Sequence, residues 1–135
     1  EITAETSFVF QAMAAAHDLP GLVIAQSPGG DLLAGQEIGR SIKRKGMNTL
    51  VVAACNSACV DIFVAGKKRE MIEGSQLGLH SATNRDVSYN LSRDYWTEMG
   101  FPIVNEKAYM IPSDRLWIMD AERARELRLA TNILR

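Results

Sequence analysis

Leu50-Val51-Val52-Ala53-Ala54-Cys55-Asn56-Ser57-Ala58-Cys59-Val60-Asp61-Ile62-Phe63-Val64-Ala65-Gly66 is the stretch from which the rest of this chain can be read. Leu50 to Ala54 is a continuous apolar run, the mark of a strand buried on both faces. A sharp polar turn follows, and an apolar helix starts near Ser57. Such a turn pushes a hydroxyl out at the carboxyl edge of a sheet, where the next helix presents free backbone N–H groups. A nucleophile and an anion-stabilising pocket could coexist there. The plainer alternative is that Ser57 caps the helix and only accepts a backbone hydrogen bond.

The flanking sequence sets this turn in a repeating pattern. Towards the amino terminus, Glu1 to His17 reads as a helix closed by Pro20 and Gly21. Leu22 to Gln26 is a short apolar strand, broken by Ser27-Pro28-Gly29-Gly30. Asp31 can cap a helix that runs through Leu33, Ile38 and Ile42 to a stop at Gly46. Beyond Gly66, a strand is expected around Arg69 to Ile72, and another at Gln76 to Leu79, ending at His80. Helices follow at Asp86 to Met99 and Ile103 to Met110. Ile111 to Asp114 is a turn, Leu116 to Met119 is strand-like, and Asp120 caps a last helix over Ala121 to Leu127. Strands alternating with helices predict an α/β fold with a largely parallel sheet, one domain over residues 1–135.

In such sheets ligands bind beyond the carboxyl ends of the strands. Gly29-Gly30, Ser57 and His80 all fall at that edge. Serine becomes an effective nucleophile when a base takes its proton, and imidazole is the usual base near neutral pH. Acyl transfer also needs donors aimed at the developing oxyanion. Gly29 and Gly30 allow a carbonyl to approach the backbone, and the N–H of Ala58 is a second donor. Taken alone, Pro28-Gly29-Gly30 reads more readily as a plain tight turn, and the plainer alternative for His80 is a polar strand-end residue bonded to a backbone carbonyl.

Composition narrows the field of functions. Of the 135 residues, 47% are hydrophobic and 23% charged, and the formal net charge is −1. That balance gives no electrostatic footprint for nucleic acid. Gly30 and Gly35 have P-loop spacing, but Gln36-Glu37 stands where Lys and Ser/Thr should be, which argues against nucleotide binding. The histidines are His17 and His80, which do not complete a metal set with the two cysteines, so neither metal nor cofactor is expected. Cys55 and Cys59 lie within disulfide range if both are helical, and are otherwise two small buried apolar residues. A bond would point to an extracytoplasmic compartment. No apolar run is long enough to span a bilayer. The chain opens on Glu1 rather than Met and reads as a processed or trimmed product, leaving a removed leader or anchor open.

The order Ser27-Pro28-Gly29-Gly30-Asp31, Cys55-Asn56-Ser57-Ala58-Cys59, an apolar helix to Ala65-Gly66, then Leu77-Gly78-Leu79-His80 resembles the Clp protease proteolytic subunit. Its nearest look-alikes are the ClpP-like extracytoplasmic proteins, akin to SppA-type signal peptide peptidases within the ClpP/crotonase superfamily. Ala121 to Leu129 is similar to that family's last helix. The resemblance implies a serine peptidase with Ser57 as nucleophile, His80 as general base, and Gly29, Gly30 and Ala58 around the oxyanion. An ungapped alignment on the last helix puts Pro112 where the family carries its aspartate; Asp114, two residues on, is then the candidate carboxylate, and a Ser–His dyad is the alternative. A Ser–Lys pair fits poorly, because no lysine occurs between Lys68 and Lys107.

The expected partner is a peptide or protein substrate. A homo-oligomer is also expected, without the family's double ring because the segment after His80 is short, and a membrane-anchored or accessory partner outside this chain is left open. Tyr95, Trp96, Met99 and Phe101 are core or a partner-facing patch. The rival readings are a non-catalytic scaffold of the same fold and a crotonase-type acyl-CoA enzyme.

Overall fold

The computed structural model describes residues 1–82 and 84–135. Each helix starts and stops where local chemistry dictates. Helix α1 (Ala4–Ala16) opens with a capping box between Thr3 and Thr6, whose side chains reciprocally take up backbone N–H groups. Strand β1 (Gly21–Ile24) leads to helix α2 (Leu32–Lys45), where Asp31 Oδ1 accepts from the Ala34 N–H at 2.8 Å. Gly46 closes α2 in the left-handed conformation, at φ 65°.

The apolar run around Leu50 divides into two strands, where the sequence predicts one. Strand β2 (Asn48–Val51) ends before Val52 and Ala53, which are exposed, and strand β3 (Ala54–Asn56) belongs to a different sheet. Val52 and Ala53 still donate to the Ile24 and Ala25 carbonyls, while Ala53 O accepts from the Gln76 N–H. The chain is thus handed from one sheet to the next at this point.

Helix α3 (Ala58–Phe63) follows, with strands β4 (Arg69–Ile72) and β5 (Gln76–Leu79) where the sequence places them. Helices α4 (Arg85–Met99) and α5 (Pro102–Ala108) precede strand β6 (Trp117–Asp120), helix α6 (Ala121–Glu126) and strand β7 (Asn132–Leu134). One sheet has the order β1-β2-β4-β7, parallel throughout; the other is β3-β5-β6, with β3 parallel and β6 antiparallel to β5. The result is a single α/β domain with largely parallel pairing.

The core lies between the sheets and α2, α3 and α4. Phe63, Ile42, Met71, Val51 and Leu77 are fully enclosed. Tyr95, Trp96 and Met99 are buried and Phe101 packs against the core, so these residues are interior rather than a partner-facing patch. The carboxy-terminal part is held by Arg69. Its guanidinium donates to the carbonyls of Gly66, Arg128 and Leu129, tying β4 to the end of α6.

Candidate active site

Strand register brings the three sequence features together. An isolated parallel bridge sets Ser27 beside Cys55, and β3–β5 pairing sets Cys55 beside Leu77. Two to three residues further along these adjacent segments come Gly29-Gly30, Ser57-Ala58 and Leu79-His80. The convergence follows from parallel strands ending at a common edge.

Ser57 has φ 56° and ψ −124°, one of two non-glycine residues with positive φ among the described residues. An L-residue pays for this conformation, and it persists because the surroundings impose it. Ser57 N–H donates to Gly78 O at 2.7 Å, and the Val60 N–H returns to Ser57 O at 2.8 Å. Cys55 on β3 and Cys59 on α3 are joined by a disulfide that brackets the turn, with both cysteines buried. The Ser57 hydroxyl makes no capping hydrogen bond to α3. The plain helix-cap reading of this serine is therefore not what the structure contains.

Gly29 and Gly30 have φ of 102° and 149°, and each is pressed against backbone. A Cβ on Gly29 would lie 2.7 Å from Asn56 O and 2.9 Å from Ser57 Cβ. The two N–H groups differ in availability. Gly29 donates to Ser27 Oγ at 3.1 Å, whereas among the described residues Gly30 and Ala58 N–H have no acceptor. Gly29 therefore shapes the loop, and Gly30 and Ala58 carry the free donors. Of the expected glycine pair, the N–H of Gly29 is thus engaged by the Ser27 hydroxyl.

His80 is half-buried and lines the same cavity as Ser57, Ala58 and Gly30. Its Nδ1 lies 2.5 Å from Ser81 O. A carbonyl only accepts, so Nδ1 carries the proton, and in the neutral ring that leaves Nε2 as the acceptor. Ser81 is itself fixed by its N–H to Ile111 O at 3.0 Å. Asp114 makes no hydrogen bond to His80. It is exposed in the turn before β6, makes no hydrogen bond or ion pair among the described residues, and does not line the cavity. No lysine lines the cavity either.

The cavity, of about 200 Å³, contains groups that sequence reasoning passes over. Asp61, one turn along α3 from Ser57, is buried, and its Oδ1 accepts from Trp96 Nε1 at 3.1 Å. Burial pushes its carboxyl up to about 7, opposed by the Trp96 indole N–H and the nearby Gln36 amide. Gln36 lies close enough to act on that charge, yet its Nε2 has no partner within hydrogen-bond distance. The Tyr95 hydroxyl donates to Asp61 O, and burial, then the Asp61 charge, pushes that phenol above its usual range. Across the cavity, Tyr109 Oη lies within hydrogen-bond distance of Ser88 and Ser92, and Asn105 is enclosed on α5. The available signal was a lone aspartate inside an apolar helix, four residues past Ser57.

Two solved structures of the 1510-N membrane-bound stomatin-specific protease share this arrangement of elements. One is a lysine-to-alanine mutant in complex with a substrate peptide, at TM-score 0.71 and 18% identity, covering 100% of this chain and 71% of that one. The other is a serine-to-alanine mutant, at TM-score 0.72 and 18% identity, covering 99% and 75%. The fold is ClpP-like. At that identity the likeness speaks for the fold and leaves the chemistry to the site. No protein-family model and no curated protein matches the chain. No described helix is long and apolar enough to cross a membrane.

Proposed function

We propose that this chain is a serine peptidase of the ClpP-like fold, acting through a Ser57–His80 dyad. The observation that carries the reading is that Ser57, held at positive φ with its hydroxyl unspent, shares one cavity with His80 and two free N–H groups. Ser57 Oγ attacks a peptide carbonyl carbon as His80 Nε2 takes the hydroxyl proton. The oxyanion is met by the N–H groups of Gly30 and Ala58, which need no reorganisation. Collapse of the tetrahedral intermediate breaks the C–N bond, and His80 returns the proton to the leaving amine. Water then hydrolyses the acyl-enzyme by the same steps in reverse roles.

In this reading the Ser81 carbonyl does what an aspartate does in a triad, fixing the tautomer and orientation of the imidazole. It supplies no full negative charge, so a slower enzyme than a complete triad is expected. Peptide as substrate class is supported by the peptide complex of the stomatin-specific protease, and kinship with SppA-type peptidases and the crotonase superfamily belongs to the same proposal. The buried disulfide supports an oxidising, extracytoplasmic setting. Exposed apolar side chains such as Phe8, Ile103 and Met110 support a homo-oligomer or an accessory partner.

A non-catalytic scaffold is the second reading, favoured by the displaced Asp114 and by the absence of a Ser57–His80 hydrogen bond among the described residues. A mixed peptide library digested by the wild type and by Ser57→Ala decides between them. Cleavage products that vanish in the variant support the peptidase; an uncut library with a folded wild type supports the scaffold.

A further inference from the structure

The net charge of −1 hides an uneven distribution. Two basic runs, Lys43-Arg44-Lys45 at the end of α2 and Lys67-Lys68-Arg69 leading into β4, meet at the amino ends of β2 and β4. The Lys67 N–H donates to Met47 O at 2.8 Å and the Lys68 N–H to Asn48 Oδ1 at 3.1 Å. Lys43, Gly46, Lys67 and Arg69 line one cavity there. The Arg69 guanidinium is spent on the carbonyls of Gly66, Arg128 and Leu129, which places Arg128 at the same edge. Lys43, Arg44, Lys45, Lys67, Lys68 and Arg128 are all exposed, and among the described residues none is paired with a carboxylate; Lys43 Nζ donates to Glu98 O. By contrast Arg40, Arg93, Arg123, Arg125 and Arg135 each sit against one. With a net charge of −1, these six cations leave −7 for the rest of the chain.

Helix dipoles account for only part of this. Helices α2, α3 and α6 end at this edge, and their carboxyl-terminal half charges offset at most about a quarter of the six. The effect fades beyond the last turn, and Lys67 and Lys68 lie past the Val64 cap of α3. Of the neighbouring carboxylates, Glu98 is taken by Arg40, and Asp18 and Glu70 border the edge.

We propose that this edge docks on the surface of an anionic phospholipid bilayer. A protein partner is disfavoured because such interfaces are anchored by large apolar side chains, and none of those exposed among the described residues falls within 43–48, 66–70 or 127–131. A single-stranded nucleic acid is disfavoured because bases stack on open aromatic rings, and the nearby Phe101 ring is covered by the Arg69 guanidinium. What remains is a spread of long, flexible side chains, four of them the point charges of Lys43, Lys45, Lys67 and Lys68. That pattern suits a plane of negative headgroups. The Ser57 cavity lies beyond the carboxyl ends of β3 and β5, at the other edge of the strands, so a chain docked in this way turns its cavity towards the aqueous side. The inference stands apart from the peptidase reading.

Co-sedimentation of the whole chain with vesicles tests it, using phosphatidylcholine alone against phosphatidylcholine carrying about 30% phosphatidylglycerol. Partitioning onto the anionic vesicles is expected to be about tenfold or more stronger at low salt, and to be lost near about 1 M salt, where the screening length falls to about 3 Å. A cation near such a surface contributes about fivefold in affinity. Lys67→Gln/Lys68→Gln and Lys43→Gln/Lys45→Gln should therefore each weaken partitioning by about tenfold or more. Lys107→Gln/Arg115→Gln removes the same charge from exposed positions on α5 and in the turn before β6, and should weaken it by less than about threefold. Circular dichroism shows that each variant is folded, and if one of the first two is not, the other decides. Equal partitioning onto both vesicle types, no partitioning at low salt, or the same loss in all three double variants overturns the proposal. So does fluorescence anisotropy showing that polyuridine RNA is bound more tightly than the anionic vesicles at the same salt.

Discussion

His80 is anchored by its own neighbour: its Nδ1 donates to the carbonyl oxygen of Ser81 at 2.5 Å, while Asp114 stands exposed in the turn before β6. In the proposed dyad the base is therefore oriented by backbone, and backbone is untouched by side-chain substitution. Asp114→Ala should change the rate of Ser57 acylation by less than about twofold, whereas loss of the general base in His80→Ala should cost about a hundredfold or more. Stopped-flow acylation of the two variants checks both values. A large loss in Asp114→Ala would restore the aspartate to the machinery.

The disulfide between Cys55 and Cys59 closes a five-residue loop around Ser57. Chain-entropy arguments give such a short loop about 2 kcal/mol of stabilisation. Urea unfolding of Cys55→Ala/Cys59→Ala should show a loss near that size. Because the bond brackets the positive-φ residue, acylation of Ser57 should slow in the folded double variant as well. Unchanged stability and rate would mean that the hydrogen bonds of Ser57 to Gly78 and Val60 hold the turn alone.

Asp61 makes stability depend on pH in an unusual direction. Its carboxyl rises from 3.8 in the unfolded chain to about 7 in the fold, chiefly through burial. Between those values the folded state binds the extra proton, so stability is highest below about pH 4 with respect to this group. It falls as pH rises towards and through 7, by up to about 4 kcal/mol. Asp61→Asn cannot titrate, so the wild-type melting temperature should fall relative to the variant's as pH rises across that window. A gap that stays constant from pH 4 to 8 would contradict the raised value.

Gly29→Ala tests how tightly the glycine loop grips the turn. The added Cβ would meet Asn56 O at 2.7 Å and Ser57 Cβ at 2.9 Å, at a backbone φ of 102° that alanine avoids. A destabilisation of about 1–3 kcal/mol is expected from the strained conformation. The loop displacement should also lower Ser57 acylation, because the neighbouring Gly30 N–H moves with it. Thermal melts and acylation rates on the same sample check the pair.

Much of this architecture was legible because it is local. Periodicity, the caps at Asp31 and Asp120, and the stop at Gly46 are written in neighbouring residues, and the strands at Arg69–Ile72 and Gln76–Leu79 fall where predicted. The division between β2 and β3 was not legible, because Leu50 to Ala54 is uniformly apolar and the break comes from two sheets sharing one segment. The loss of Gly29 as a donor depends on a bond from Ser27 that spacing cannot reveal. A backbone-carbonyl partner for His80 was legible as the plainer reading of that residue, whereas which carbonyl it would be leaves no mark on sequence. Asp61 and Asn105 lie 44 residues apart, and only the packing of α3 against the later helices puts them in one cavity.

The most direct measurement is the rate at which a fluorophosphonate modifies the folded protein, with the adduct mapped to its residue by mass spectrometry. A single adduct on Ser57, absent in Ser57→Ala and about a hundredfold slower in His80→Ala, is the predicted result. A folded wild type that stays unmodified, or a His80→Ala variant that reacts as fast as wild type, would contradict the dyad.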